Sequence, residues 1–85
     1  MKRNPLFDAK PDVVEQHPEG KVIIEIEFYK LVNGQYKAWP YVKEAGRETK
    51  EHYAVAGEFA TMEAARTVAI ETARKLIAQG FPYHS

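Results

Sequence analysis

Residues 22 to 34 constrain the fold more than any other stretch. Val22, Ile24, Ile26 and Phe28 alternate with positions that include Glu25 and Glu27. Period-two alternation with β-branched residues predicts a strand with one buried face. Asn33-Gly34 follows, and Asn-Gly between apolar strand residues is the strongest short signal for a β-hairpin, because a type I′ turn needs positive φ at both central positions. With Asn33 and Gly34 as a two-residue loop, Val32 pairs with Gln35, Phe28 faces Trp39 and Ile26 faces Tyr41. That register predicts an inner face of Ile24, Ile26, Phe28, Trp39 and Tyr41. The outer face is then Glu25, Glu27, Tyr29, Leu31, Tyr36, Ala38 and Val42. Pro40 falls opposite Glu27 at a position not hydrogen-bonded to the first strand, so it spares the hairpin and removes a donor from the other edge.

Other elements assemble around this hairpin. Lys43 to Lys50 contains Gly46 and mixed charge and reads as a loop. Residues 51–57 read as a third strand with Tyr53 and Val55 inward and His52, Ala54 and Ala56 outward. Thr61 is a good N-cap, Glu63 suits the positive start of a helix, and Gly80 sits where a C′ glycine belongs. Between them, Met62, Ala65, Val68, Ala69, Ile70, Thr72, Ala73, Leu76 and Ile77 cover one broad arc of a helix. Its alanine stripe lets the helix lie close on a sheet. Residues 1–20 hold Pro5, Pro11 and Pro18 without periodicity and read as an extended N-terminal arm, which either docks through Leu6, Phe7, Val13 and Val14 or hangs free.

The fold class expected is therefore α+β. A three-stranded antiparallel sheet, β-β-β-α, carries one C-terminal helix packed on one face, and residues 21–85 form a single domain. At 85 residues the chain has room for one domain only.

Composition narrows the chemistry. There is no cysteine, which excludes disulfides, thiolate nucleophiles and cysteine-bound metals. The one serine is Ser85. His17, His52 and His84 are scattered over arm, strand and tail, without metal-ligand spacing. No catalytic residue, cofactor loop or metal set is expected. The start lacks a signal-peptide core and no run is long enough to span a bilayer, so a cytoplasmic, bacterial protein is expected. Net charge is zero, from 12 basic and 12 acidic residues. Neither sign forms a block, whereas nucleic-acid binders concentrate Lys and Arg.

The stretch Gly57-Glu58-Phe59-Ala60-Thr61-Met62-Glu63-Ala64-Ala65 resembles the step from strand into alanine-rich helix of HicB-type antitoxin modules. The order of elements is similar to the double-stranded-RNA-binding-like fold. The Phe-x-Thr-x-x-x-Ala helix start also looks like that of short uncharacterised bacterial proteins. Over residues 21–80 the resemblance implies the fold. The Lys-Lys pair with which double-stranded-RNA binders begin this helix is replaced by Met62 and Glu63.

Two clusters stand out as candidate sites. Tyr29, Leu31, Tyr36 and Val42 on the expected outer face form a candidate interaction surface. Lys30 and Lys37, facing each other near the hairpin tip with Arg66 close by, form a candidate anion contact. Glu25 and Glu27 share the tyrosines' face and would repel phosphate, which favours another protein, or a second copy of the chain, over RNA. The expected function is a protein-interaction or regulatory module. Weak binding of RNA or single-stranded nucleic acid through the same tyrosines and lysines is the alternative.

Overall fold

The structure, a computed structural model, describes residues 10–44, 51–52, 55 and 57–80. The architecture is α+β, with an antiparallel sheet carrying one C-terminal helix on one face. Strands β1 (Val13–Glu19), β2 (Val22–Lys30), β3 (Tyr36–Glu44) and β4 (Glu51–His52) lie in the order β1-β2-β3-β4. Helix α1 (Met62–Ala78) follows.

Strand β1 falls inside the segment read as an arm. It pairs with the whole of β2 from Val13↔Phe28 to Glu19↔Val22, so Gly20-Lys21 is a two-residue hairpin loop. Gly20 has φ +63 and no non-glycine residue among the described ones has positive φ, which fits a turn with glycine at its first central position. Pro18 pairs with Ile23 but sits on an edge strand, where a missing N–H costs no ladder bond.

The β2–β3 register differs by one residue from the expectation. Phe28 pairs with Ala38, Ile26 with Pro40 and Glu27 with Trp39. The cause is the turn. The Gly34 N–H donates to the Leu31 carbonyl (2.9 Å), and the Leu31 N–H donates to the Gln35 carbonyl (2.7 Å). Only Gly34 is left-handed, at φ +87. This is a three-residue loop, Val32-Asn33-Gly34, with a bulge at glycine, rather than a type I′ turn. The Asn33 side chain accepts from the Gln35 N–H (2.9 Å) and so closes the bulge.

Because side chains alternate, a one-residue slip moves all of β3 to the opposite face. Ala38, Pro40 and Val42 therefore lie beneath the helix, and Trp39 and Tyr41 lie on the far side. The physical reason is visible in the side chains. Small residues on β3 meet the alanine stripe, while the tyrosine hydroxyls reach a carboxylate on the other face instead of being buried under apolar groups. Pro40 is not hydrogen-bonded to β2 in either register, and β4 pairs with β3 at Tyr41 and Val42.

The main core joins Val22, Ile24, Ile26, Phe28, Ala38 and Val42 of the sheet to Val55 and to Ala65, Ala69 and Ala73 of the helix. Ile24, Ile26, Phe28 and the three alanines are fully buried. Alanines four residues apart share one helix face, and their small side chains bring the helix axis close to the sheet. Met62, Val68, Ile70 and Ile77 flank the stripe as expected. The Thr61 hydroxyl accepts from the Ala64 N–H (3.1 Å), and Gly80 follows the C-cap at φ +100. Tyr53, Ala54, Ala56, Arg47 and the aromatic tail lie outside the described residues, as does the His52 side chain.

Candidate interaction face and strand edge

The face of the sheet turned away from the helix carries an aromatic cluster of Tyr29, Trp39 and Tyr41. Glu27, directly opposite Trp39, organises it. One Glu27 carboxylate oxygen accepts from both the Tyr29 hydroxyl (3.0 Å) and the Tyr41 hydroxyl (2.9 Å). Burial, reinforced by this carboxylate, pushes the Tyr29 phenol up to about 12 and raises Tyr41 further. Beside them Glu25 receives the Gln16 amide (3.2 Å) and lies 3.3 Å from the Lys43 ammonium. The face is thus three aromatic rings held between two engaged carboxylates.

Strand β1 makes the second feature. On the helix side its Glu15 carboxylate takes both Nε (2.7 Å) and Nη2 (2.6 Å) of Arg66, and His17 Nε2 lies 2.9 Å from the same carboxylate. The Arg66 guanidinium also rests 5.6 Å from the centroid of the Phe28 ring. About two helical turns further, Arg74 reaches Glu19 at 3.1 Å. The spacings match, since four strand residues and eight helix residues each span about 12–13 Å. Two ion pairs therefore hold the edge strand parallel to the helix.

Among the described residues, the other edge of β1 is open. Leu31 bonds to Gln35, so odd-numbered residues of β2 bond to β3 and even-numbered ones face β1. Lys30 and Phe28 accordingly make contacts with Asp12 on that side. It follows that Glu15 and His17 turn their backbone groups to β2, while Val14, Gln16 and Pro18 turn theirs outward. No described residue bonds to them there. Val13 and Val14 head this edge with 37% and 49% of their surface exposed.

The residues singled out from sequence are divided by this geometry. Tyr29 lies on the far face, buried in the aromatic cluster. Tyr36 and Val42 lie on the helix side, with Val42 in the core, so they form no surface with Tyr29. Leu31 is in the turn, half-buried. Lys30 pairs with Tyr36 and Lys37 with Tyr29, so the lysines occupy adjacent rungs on opposite faces rather than one anion site. Arg66 is occupied by Glu15 instead of standing beside them.

Sequence reading missed the open edge and the pairing of β1 with the helix. The signals were Gly20-Lys21 between two extended stretches, and glutamates four apart matched to arginines eight apart. Among the described residues, no three His, Asp or Glu side chains group to hold a metal ion, and no helix is long and apolar enough to cross a membrane. No protein-family model matches the chain, and no curated protein or solved structure does either.

Proposed function

We propose that the chain is a small protein-interaction or regulatory module that receives an extended segment of its partner along the outer edge of β1. It would serve as an adaptor, an inhibitor or an antitoxin-like regulator. The observation that carries this reading is the row of backbone groups at Val14, Gln16 and Pro18 left unpaired among the described residues, headed by exposed Val13 and Val14. Unpaired strand edges are templates for another strand, and natural proteins blunt them where pairing is unwanted. Pro18 blunts only one end of this edge. Main-chain bonds would then supply affinity, and the side chains on alternate positions would supply selectivity.

Nucleic acid draws less support. Lys30 and Lys37 are on opposite faces, Arg66 is neutralised by Glu15, and Glu25 and Glu27 accompany the aromatic rings.

Gln16→Pro tests the reading. It removes an N–H that points away from β2, as Pro18 already does two residues on, and so blocks the edge while sparing the hairpin. Gln16→Ala controls for the lost Gln16–Glu25 bond. Tagged proteins are exposed to native lysate with and without nuclease. Protein retained by wild type and Gln16→Ala after nuclease, and lost from Gln16→Pro, is the expected result. Equal retention by all three, or none, would overturn the edge as the site. Retention that disappears with nuclease would replace this reading with the nucleic-acid one.

A further inference from the structure

We infer that the strand received on this edge is β1 of a second copy, antiparallel and centred on Gln16. The inference rests on the edge reading above and adds the identity and register of the occupant.

The register follows from which groups point outward. Among the described residues of β1, only Val14, Gln16 and Pro18 turn backbone groups outward, so even-numbered residues must pair with even-numbered ones. Centring on Gln16 sets Gln16 against Gln16 and Val14 against Pro18. Both Gln16 N–H groups are used, and each Val14 N–H meets a Pro18 carbonyl. Pro18, which has no donor, then forfeits one bond at each end rather than in the middle.

Charge selects the same register. On the helix side, Glu15 of each copy falls opposite His17 of the other, in the close, non-hydrogen-bonded type of pair. Glu15 and His17 already make a hydrogen-bonded contact within one chain, at 2.9 Å. A shift of two residues in one direction sets Glu15 against Glu15, and in the other direction Glu15 against Glu19. Like charges directly opposite are unfavourable. On the far face, Val14 covers Pro18 of the other copy, and the two Gln16 amides meet across the axis. The two-fold axis runs normal to the sheet. The product is one continuous sheet from both copies, with both helices on the same face and no edge left at β1.

The absence of cysteine makes the register directly measurable, because any introduced cysteine is the only one present. In the centred register the two Gln16 positions form a hydrogen-bonded pair with Cα atoms about 5.5 Å apart, within disulfide range. The two Val14 positions are offset by four residues, about 13 Å, beyond that range. The experiment combines sedimentation equilibrium of the intact chain with mild oxidation of Gln16→Cys and Val14→Cys. Expected are a wild-type dimer, a disulfide-linked dimer from Gln16→Cys only, and dimer dissociation strengthened at least tenfold by Gln16→Pro, since two central bonds are lost. A dimer that links through Val14→Cys, or is indifferent to Gln16→Pro, would overturn the inferred pairing. A monomer at every concentration would also overturn it. In that case, protein from lysate that still depends on the edge would leave the interaction reading standing. Loss of both results would remove the two together.

Discussion

Glu15 takes three side-chain contacts, from two nitrogens of Arg66 and one of His17. The Arg66 guanidinium, chiefly, holds its carboxyl down to about 2, against a smaller opposing effect of burial. The sign of the consequence is fixed. A carboxylate with a folded pKa below its unfolded value of 4.5 contributes stability above that pH and loses it as pH falls towards 2. Both partners are partly solvent-exposed, so Glu15→Gln should cost only about 1–2 kcal/mol near neutrality. The difference between wild type and variant, read from urea midpoints, should shrink steadily through that acid window. A constant difference would show that Glu15 gains nothing from its charge. At the other end of the scale, Tyr29 and Tyr41 keep their protons beyond the ordinary phenol range. Their stabilisation is complete below pH 10; that of Tyr29 is lost as pH rises towards 12, and that of Tyr41 persists to higher pH. Ultraviolet titration should therefore show late ionisation from Tyr29 and Tyr41, and Tyr41→Phe should remove one of these late steps.

At the scale of elements, the helix was legible almost to the residue. Thr61, Glu63 and Gly80 mark its ends by local chemistry that no tertiary contact needs to assist. Its alanine stripe is equally local, and its role is steric. Ala69 is fully buried against the sheet, so Ala69→Leu should overpack the interface and cost about 1–3 kcal/mol in unfolding free energy. Ala64→Leu, one turn away on the exposed side, should be nearly neutral in the same measurement. The hairpin was legible as a hairpin and illegible in its register. Asn-Gly supports both a two-residue and a three-residue loop, and the choice depends on what the following strand presents to the helix. Ala38, Pro40 and Val42 fit beneath alanines, and Trp39 and Tyr41 do not. That is a packing fact between residues about thirty positions apart.

Across the whole molecule, the helix-bearing α+β layout could be read from sequence, but the extent of the sheet could not. Strand β1 has no apolar alternation, because its helix-side face is Glu15, His17 and Glu19 rather than hydrophobic residues. Its burial is supplied by arginine side chains from more than fifty residues away. Hydrophobic periodicity is blind to a strand held by charge. The interaction surface proposed from Tyr29, Leu31, Tyr36 and Val42 dissolved for the same reason as the register. Tyr29 stayed on the far face, and Trp39 and Tyr41 replaced the others beside it. What sequence reading did preserve was the balance of charge, which appears in the fold as matched pairs instead of a patch.

The sheet's spatial order is also its sequence order, and this bears on synthesis. A growing chain can close the β1–β2 hairpin once Lys30 has emerged, and β3 can join as Glu44 follows. The alanine face that shields Ile24, Ile26 and Phe28 is made last, in residues 62–78. At ribosomal speeds of about 5–20 residues per second, that leaves the apolar side of a formed sheet bare for roughly 2–7 s. During this interval the nascent chain offers its stickiest surface to its neighbours, so the helix serves as a lid that arrives late in every copy made.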